Sequence, residues 1–320
     1  MTTKEAIISI LEENKGLYIS GEDIGKNLNI SRSAVSKVIK DLKENGYLIE
    51  SINKKGHCIP CKSNTISKIE IKKNLINNHE IIIKDSVKST NLEAKSHLLD
   101  ECKHGSIIIA NEQTNGRGRK GRVFYSPKDT GIYMSLILKP DLLLIHNPLK
   151  LTIATAVAVC NSIDTLCDVD TKIKWVNDIF LNNKKICGIL TEANTDFETG
   201  SIEDIIIGIG LNFNTLNFPE DFSDIAGSIF SEKTTPINRN QLIAEIINNI
   251  MKLLKDLENP NILKFYKEKS FLLGKNISFY EKDKKIECTV LDINSEGNLV
   301  IKTKNGLKKI LHSGEVNFNW

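Results

Sequence analysis

Four basic residues alternate with glycines in the stretch NGRGRKGRVFYSP, which runs from Asn115 to Pro127. Arginine presents a planar fork of N–H donors that binds phosphate or carboxylate oxygens in pairs. Because glycine costs ordering entropy, we expect the loop to be mobile until an anionic ligand arrives. Three classes of ligand suit it: a nucleotide, a nucleic-acid backbone, or an acid that a nucleotide activates. The basic residues are Arg117, Arg119, Lys120 and Arg122, and the glycines are Gly116, Gly118 and Gly121.

The glycine spacing also matches the G-x-G-x-x-G pattern of a dinucleotide-binding turn, but its context excludes that motif. Such a turn leads from a strand directly into a helix whose N-terminus holds the pyrophosphate. Here RVFYSPKDTG follows, and its Pro127 and Gly131 prevent a regular helix. A P-loop is excluded as well, since no Gly-Lys-Ser or Gly-Lys-Thr sequence closes the glycine run.

Three further segments could complete an anion site. In KWVNDIF, Lys174 ends a short predicted strand and precedes Asn177 and Asp178, although the same residues suit a surface lysine beside an aspartate equally well. In KKICGILTE, Gly188 interrupts a predicted strand, which indicates close approach of a ligand or another backbone. The predicted strand GIGLNFN, residues 208–214, carries two more glycines. Each signal is weak by itself.

The elements that must position these residues alternate between strands and helices from about Ile69 to Leu263. EIIIKD, GSIIIAN and GIYMSLILKP are typical of strands, and PLKLTIATAVAVCNSIDTLC of a long buried helix. TKIKWV, KKICGILTEA and IEDIIIGIGLNF then give three strand candidates in a row, followed by a helix in RNQLIAEIINNIMKLLKDLE. Consecutive strands separated by helices favour an α+β fold with a mixed sheet over a doubly wound parallel sheet.

The first sixty or so residues have the pattern of a helix-turn-helix unit. Ser20 and Ser31 are expected to cap two helices around a break at Asn29, and the second helix is expected to end at Glu44. YLIESINKKGHCIP then predicts the hairpin of a winged helix. Such units also serve as protein-docking or linker modules, but the position of the basic residues favours DNA. The candidate DNA-binding residues are Ser31, Arg32, Ser33, Lys37, Lys40, Lys54 and Lys55.

The composition limits the class of protein. The 320 residues include 43 basic and 40 acidic ones, and this net charge of +3 excludes a protein that wraps nucleic acid along its whole length. No apolar run reaches the roughly eighteen residues of a membrane span, so we expect a cytoplasmic protein without a membrane partner.

Seven cysteines, an odd number, do not fit a secreted disulfide framework. Cys58 and Cys61 with His57 could form half of a zinc site, but no second pair follows, and structural cysteines are the better interpretation. Cys187 lies in the KKICGILTE segment and could line a pocket, although a small buried hydrophobic residue is the better interpretation there too.

In their order and spacing, these segments resemble the bacterial family of bifunctional biotin protein ligases and biotin operon repressors. The matching segments are DSVKSTN at 85–91, EQTNGRGRKGRVFYSP at 112–127, KWVND at 174–178, KKICGILTE at 184–192 and GIGLNFN at 208–214. The resemblance covers nearly the whole chain and implies three domains. They are a winged helix-turn-helix in residues 1–63, a mixed-sheet catalytic domain of the biotin/lipoate ligase type in 64–270, and an SH3-like β-barrel in 271–320. Short alternating strands with turns at 294–297 and 305–306 support the barrel independently.

The resemblance also implies roles for individual residues. Lys174, Arg117 and Arg119 are implied to be catalytic. The implied biotin contacts are Ser89, Thr90, Asn91, Gln113, Arg117, Gly118, Arg119, Lys174 and Gly188. Gly116, Gly121, Arg122 and Phe124 are implied to form the adenylate-binding part of the loop. We expect no protein cluster that holds a metal by itself, but Mg²⁺ is expected with ATP near Asn177 and Asp178.

The implied reaction brings two anions together, because the carboxylate of biotin attacks the α-phosphate of ATP. The product, biotinyl-5'-AMP, then loses its biotinyl group to a lysine amine of a biotin carboxyl carrier domain of a biotin-dependent carboxylase. As a repressor, the adenylate-bound protein is expected to form a homodimer and to bind an inverted-repeat operator through two winged helices.

Two positions depart from the family pattern. The family often has Trp-Phe before the Ser-Pro of the loop and Lys-Trp-Pro-Asn at the lysine, where this chain has Phe124-Tyr125 and Val176. Phe124 keeps an aromatic wall for adenine, whereas loss of the proline is expected to loosen the turn before Asn177. Two alternatives stay open: a ligand-sensing transcription factor without ligase activity, and a lipoate or other acyl ligase on the related fold.

Overall fold

The computed structural model describes residues 2–44, 47–60, 64–98, 102–139, 147–195, 198, 202–232, 235–281 and 284–318. Cys61 and the last residues of the predicted first domain lie outside this part of the chain, so the predicted boundary after residue 63 stays a prediction.

The N-terminal part is a helix-turn-helix unit with a short hairpin, as predicted. It contains α1 (Thr3–Glu13), α2 (Gly21–Leu28), α3 (Arg32–Glu44) and the antiparallel pair β1 (Glu50–Ile52) and β2 (Gly56–Cys58). The Ser20 hydroxyl accepts from the backbone N–H of Asp23 at 3.1 Å, and that of Ser31 accepts from Ala34 at the same distance. Asn29 has the left-handed φ of 54°. Both predicted caps and the predicted break are therefore confirmed.

The central part is built on a seven-stranded sheet in the order β3-β4-β5-β9-β8-β7-β6. β3 and β4 run parallel and every other neighbouring pair is antiparallel, which confirms the predicted mixed sheet. The strands are β3 (Ile81–Val87), β4 (Ile107–Gln113), β5 (Gly131–Leu138), β6 (Lys172–Lys174), β7 (Asp178–Leu181), β8 (Lys184–Thr195) and β9 (Ile202–Asn212). The helices are α4 (Lys68–Asn74), α5 (Thr90–Leu98), α6 (Pro148–Cys167), α7 (Glu220–Ser223), α8 (Arg239–Leu253) and α9 (Pro260–Lys269).

Helix α6 lies in the hydrophobic core of this central part and packs against α8, α9 and β8. It is long and apolar enough to cross a membrane by length and composition, yet 67% of its apolar window is buried inside the protein. Such burial is typical of the core helix of a folded domain, which needs an apolar surface on most sides.

The C-terminal part is a five-stranded antiparallel sheet in the order β13-β12-β11-β10-β14. Its strands are β10 (Asn276–Glu281), β11 (Lys284–Ile293), β12 (Leu299–Thr303), β13 (Lys308–Leu311) and β14 (Val316–Asn317). The strand content agrees with the predicted small barrel, and the described strands at its two edges, β13 and β14, do not pair with each other. This domain contacts the central one, since the Trp175 indole donates to the carbonyl of Gly297 at 2.9 Å.

Candidate active site and nucleic-acid interface

A cleft of about 600 Å³ opens on the face of the central sheet where the predicted segments converge. That volume is in the range of small-molecule and cofactor sites. Most of the predicted ligand residues line it. They are Ser89, Thr90, Asn91, Gln113, Arg117, Gly118, Arg119, Arg122, Phe124, Lys174, Asn177, Asp178 and Gly188. Gly116 and Gly121 do not line the cleft: Gly116 lies at the base of the loop against Ser126, and Gly121 lies at its tip.

The basic loop folds over this cleft as a narrow hairpin. Gly118 N–H donates to the carbonyl of Arg122 at 2.7 Å, and Phe124 N–H donates to that of Gly116 at 2.9 Å. A short 3-10 turn at Arg119–Gly121 closes the tip, and no helix follows between Arg122 and Gly131, which confirms that the dinucleotide motif is absent. The loop's mobility in the ligand-free protein stays a prediction.

The loop reaches the opposite wall through Arg119, whose guanidinium donates to the Asn177 side-chain oxygen at 3.2 Å. That wall is held firmly although Val176 replaces the family's proline. Asn177 donates its amide to the carbonyl of Ile189 at 2.7 Å, and the Tyr266 hydroxyl donates to the carbonyl of Val176 at 2.9 Å. The turn before Asn177 is therefore fixed by hydrogen bonds rather than by a proline ring.

Two lysines of this wall face the cleft in different environments. Lys174 is half-buried, and its ammonium has no ion pair or hydrogen bond within the described part of the chain. Burial lowers its pKa from the ordinary 10.5, while the nearby carboxylates of Asp178 and Glu315 act in the opposite direction. Lys185 instead forms an ion pair with Asp178 at 2.7 Å. Lys185 lies within the KKICGILTE segment, but nothing in its sequence context indicated a role for it.

The strand glycines make room for the aromatic side chain of the loop. A Cβ atom at Gly210 would lie 2.7 Å from the Phe124 ring, closer than real Cβ contacts come. At Gly208 it would lie 2.2 Å from the side-chain oxygen of Asn91. The predicted close approach along this strand is therefore made by the protein's own Phe124 and Asn91 side chains. Phe124 stands as a wall of the cleft over the strands that carry Gly188 and Gly210.

The end of the cleft near α5 is polar and buried. Thr90 donates its backbone N–H to the Gln113 side-chain oxygen at 2.9 Å, and Gln113 donates its amide to the Ser126 hydroxyl at 2.9 Å. Ser89, Thr90 and Asn91 each expose 4% of their surface or less. Such a buried set of paired donors and acceptors can recognise a ligand by its hydrogen-bond pattern.

Two groups of cleft residues were missed from the sequence. One is the segment 218–226, where the rings of Phe218 and Phe222 each lie 6.1 Å from that of Tyr125. The other is the C-terminal segment 314–318, whose Glu315 forms an ion pair with Arg122. In the sequence, the only indication of a role for segment 218–226 is its spaced aromatic residues. Segment 314–318 lies far in sequence from every motif. Cys187 is fully buried and does not line the cleft, which agrees with the interpretation of a small buried hydrophobic residue.

The predicted DNA-binding residues are exposed at α3 and in the hairpin turn of the N-terminal unit. Val35, Ile39 and Leu42 of α3 are buried in its core, while Ser31, Arg32, Ser33, Lys37 and Lys40 are exposed. Lys54 and Lys55 are exposed in the turn between β1 and β2. This places hydroxyls and cations on one helix and the adjacent hairpin, which suits a major groove and its flanking phosphates.

The zinc interpretation gains no support among the described residues. They hold no group of three or more side chains of the metal-binding types, and Cys61 lies outside them. Cys58 is buried, and His57 has its Nδ1 atom 2.8 Å from the Ser51 hydroxyl.

Three family models match separate parts of the chain. They describe an HTH domain over residues 3–57, the Biotin/lipoate A/B protein ligase family over 83–212, and the Biotin protein ligase C terminal domain over 272–318. The curated proteins similar to the chain include the bifunctional ligase/repressor BirA of Bacillus spizizenii, 33% identical over 317 residues and 97% of each chain. The bifunctional ligase/repressor BirA of Escherichia coli is 27% identical, and the match covers 94% of this chain and 93% of the Escherichia coli chain.

Among solved structures, the biotin protein ligase from Aquifex aeolicus in complex with biotin and ATP superposes with a TM-score of 0.64. It is 26% identical in sequence, and the match covers 74% of this chain and 97% of that one.

Proposed function

The chain belongs to the family of bifunctional biotin protein ligases and repressors, and from that premise we propose how its cleft performs the ligase reaction. Biotin and ATP bind side by side and react to biotinyl-5'-AMP and pyrophosphate. The biotinyl group then passes to a lysine of a biotin carboxyl carrier domain. The observation that carries this proposal is the closure of the arginine loop, through Arg119 and Asn177, over a wall that presents Lys174 and Lys185.

Charge neutralisation is the main task of these side chains. A carboxylate and a phosphate repel each other, and the reaction adds charge to the oxygens around the phosphorus. Arg117 and Arg119 approach that position from the loop, and Lys174 and Lys185 from the opposite wall. Lys174, whose ammonium has no ion pair or hydrogen bond among the described residues, can pair with the substrate oxygens.

The two ends of the cleft suit the two substrates. The buried polar end at Ser89, Thr90 and Gln113 takes the ring system of biotin, which carries a cyclic urea. The end at Phe124, with the aromatic side chains of segment 218–226, offers flat apolar surface for adenine. Biotin's carboxylate and the α-phosphate then meet beneath Arg117 and Arg119.

Closure of the loop also protects the product. Biotinyl-5'-AMP is a mixed anhydride that water hydrolyses, and a hairpin over the cleft keeps water away until an acceptor arrives. The acceptor amine attacks the acyl carbon, the bond from that carbon to the phosphate oxygen breaks, and AMP leaves. The ion pair from Arg122 to Glu315 ties the loop to the C-terminal domain, which thereby takes part in closure.

The residues present fit Mg²⁺ held mainly by ATP. Magnesium in phosphoryl-transfer sites commonly takes one or two carboxylates together with substrate phosphates and water. Asp178 supplies one carboxylate in the cleft, whose Oδ1 also pairs with Lys185, whereas the side-chain oxygen of Asn177 already accepts from Arg119. When bound there, the ion supplies further positive charge to the phosphate oxygens.

For the repressor activity, the proposal extends to ligand-promoted dimerisation and to an inverted-repeat operator in the cytoplasm. A loop that orders on ligand binding can favour the dimer through the same state, so that ligand and DNA binding become linked. A gel-shift titration of operator DNA is expected to show tighter binding with biotin and ATP present. Equal affinity with and without these ligands would remove this part of the proposal.

Mass spectrometry of the protein after incubation with biotin, ATP and Mg²⁺ tests the ligase proposal. Bound biotinyl-5'-AMP is expected, and addition of a carrier domain is expected to convert it to AMP and a biotinylated lysine. A ligand-sensing transcription factor would bind biotin and form no adenylate. A lipoate ligase would form its adenylate from lipoate and none from biotin.

A further inference from the structure

Helix α4 packs against both the N-terminal helix-turn-helix unit and the central part. Ile69 packs against the hydrophobic core of the N-terminal unit, whereas Ile71 is fully buried in the core of the central part. α4 also contacts α1 of the N-terminal unit and α8 of the central part. The side chains of α4 are therefore placed to fix how the N-terminal unit is oriented on the central part.

An ion pair crosses this junction. The Lys15 ammonium, which follows α1, lies 3.3 and 3.2 Å from the two carboxylate oxygens of Glu70 on α4. The two side chains expose 17% and 14% of their surface. Water and salt screen such an enclosed pair less than a surface pair, and loss of one partner leaves the other charge poorly compensated. Lys15 therefore contributes more to the junction than an exposed lysine would.

The central part holds Glu70 in place. The side-chain amide of Asn240, in the first turn of α8, donates to Glu70 Oε2 at 3.3 Å and to the carbonyl of Thr65 at 2.9 Å. The side-chain oxygen of Asn240 accepts the backbone N–H of Ser67 at 2.8 Å. Asn240 is fully buried, so these contacts are shielded from water. The carboxylate that pairs with Lys15 is thus fixed relative to the core of the central part.

Lys15 also offsets a repulsion between like charges across the junction. Glu12 of α1 is 7% exposed and lies near Glu70. Burial raises the pKa of Glu12, the charge of Glu70 raises it further, and Lys15 acts in the opposite direction. Removal of the Lys15 charge leaves the two carboxyl groups less compensated, which weakens the attachment of the N-terminal unit.

The attachment of this unit sets the distance between the two recognition helices of a dimer. The exposed side chains of α3 that are predicted to contact DNA belong to the unit that Lys15 holds. A dimer that binds an inverted repeat places its two α3 helices in major grooves at a separation set by the protein. A firmly attached unit fixes that separation, whereas a loosely attached unit reaches half-sites at several separations.

We propose that Lys15, paired with Glu70, is a positioning residue that holds the N-terminal unit on the central part and thereby determines the half-site spacing that the repressor accepts. Neither side chain lines the cleft, so the pair acts on the geometry of DNA binding and not on the ligase reaction. The inference rests on the proposed binding of a dimer to an inverted repeat.

The test compares the full-length variants Lys15→Met and Lys4→Met in the presence of biotin and ATP. Lys4→Met is the matched control, because it loses the same charge but breaks an exposed ion pair with Asp41 inside the N-terminal unit, at 2.8 Å. The probe is an inverted repeat that wild type selects from random DNA. A second probe has about five base pairs inserted between the half-sites, which turns one half-site by about half a helical turn.

Wild type and Lys4→Met are expected to prefer the original spacing by roughly 10²-fold or more, the range of gains from linked binding sites. In Lys15→Met this preference is expected to fall below about ten-fold, because a loosely attached unit binds the original probe more weakly but not the second one. General destabilisation would weaken binding to both probes alike and leave the preference unchanged. Adenylate formation by Lys15→Met is expected to stay within about two-fold of wild type, since the cleft is untouched.

Two further variants separate the charge of the pair from its size. Lys15→Arg keeps the charge and can pair with both carboxylate oxygens, so it is expected to retain the wild-type preference. Glu70→Gln keeps an acceptor for Asn240 but loses the charge, and is expected to behave like Lys15→Met. Equal preferences in Lys15→Met and Lys4→Met overturn the proposal, and if Lys15→Met does not fold, a wild-type preference in Glu70→Gln overturns it. Wild type that binds both probes equally contradicts the proposed dimeric repressor instead.

Discussion

Lys174 and Lys185 both face the cleft but differ in their charge partners. Lys185 is already paired with Asp178, whereas Lys174 is half-buried without such a partner among the described residues. Burying an unpaired ammonium costs free energy in the ligand-free protein, and an anionic substrate recovers that cost. Burial of Lys174 thus lowers the free energy of unfolding and keeps its ammonium available to an anionic substrate.

Replacing Lys174 with methionine is expected to reduce kcat for adenylate formation by roughly 10²- to 10³-fold, the usual effect of losing one group that stabilises transition-state charge. Methionine keeps most of the side-chain volume, so the fold is expected to persist. Single-turnover measurement of adenylate formation, with circular dichroism to check the fold, tests this. A rate within about two-fold of wild type contradicts the assigned role.

The same variant carries a prediction for pH. Because the folded-state pKa of Lys174 lies below the unfolded value of 10.5, the unfolded chain binds more protons between the two values. The stability of wild type therefore rises with pH in that interval, and Lys174→Met lacks this rise. The variant is expected to be more stable than wild type at neutral pH, with the difference shrinking as pH approaches 10.5. Urea unfolding at several pH values would contradict the account if the variant were the less stable protein at neutral pH.

At the scale of elements, strands β8 and β9 form the floor of the cleft because glycines let side chains from other elements lie against the sheet. The Phe124 ring occupies the space where a side chain at Gly210 would project. The position of Phe124, the proposed adenine wall, thus depends on a residue more than eighty positions away in sequence. Packing of the Phe124 ring against Gly210 thus connects the loop to β9 without a charged contact.

Gly210→Ala is expected to displace Phe124 and to raise the KM for ATP by roughly ten-fold or more, because overpacking at a fixed aromatic ring forces a shift. Gly21→Ala is the matched control, since its Cβ would meet nothing closer than 3.6 Å. Steady-state kinetics with ATP as the varied substrate measures both. An unchanged KM for ATP in Gly210→Ala would remove Phe124 from the adenine site.

The sequence predicted some elements well for physical reasons. α6 spans the same residues as the predicted helix, because a Pro at its start and a long apolar stretch without glycine mark it clearly. β7 was missed because four residues between two other strands give no measurable alternation. Segment 218–226 and Glu315 were missed because only the tertiary fold brings them to the cleft. Local sequence patterns therefore identified the arginine loop, whereas the other residues that line the cleft are brought together only by long-range packing.

Arg239, at the start of α8, joins three elements and is 1% exposed. Its guanidinium donates to the carbonyl of Asn64 at 2.6 and 2.9 Å and to that of Gly131 at 3.0 Å. Asn64 precedes α4, and Gly131 begins β5 shortly after the arginine loop. The arginine thereby holds the connection to the DNA-binding part beside the end of that loop.

Arg239→Met is expected to destabilise the protein by roughly 2–4 kcal/mol, because both carbonyls lose buried donors. Lys267→Met, which breaks a surface ion pair with Asp292, is the control and is expected to cost less than about 1 kcal/mol. Denaturant titration of both variants decides the matter. Similar midpoints for the two variants would show that the buried contacts of Arg239 contribute little.

At the scale of the whole molecule, Glu12 connects the DNA-binding part to the central one. It lies on α1 near Ser67 and Glu70, is 7% exposed, and its Oε2 has no hydrogen-bond partner among the described residues. Burial, together with the nearby charge of Glu70, raises its pKa from 4.5 to about 7, against the opposing effects of Ser67, Lys15 and Lys73. The junction therefore contains a carboxyl group that titrates near neutral pH.

The sign of the pH effect follows from this raised pKa. Between pH 4.5 and about 7 the folded protein keeps the Glu12 proton that the unfolded chain has lost. Stability from this group therefore decreases as pH rises through that interval and then levels off. Glu12→Gln is expected to remove this decrease and to be the more stable protein at pH 8. Thermal unfolding of both proteins from pH 5 to 8 measures it, and parallel curves would contradict the burial of this carboxyl group at the junction.

The central claim is that the cleft under the arginine loop joins biotin to ATP. Exchange of labelled pyrophosphate into ATP measures that step directly, without a carrier protein or DNA. The account predicts exchange that depends on biotin, is strongly reduced in Lys174→Met and is absent with lipoate. Exchange that is silent with biotin but supported by lipoate or octanoate would contradict it.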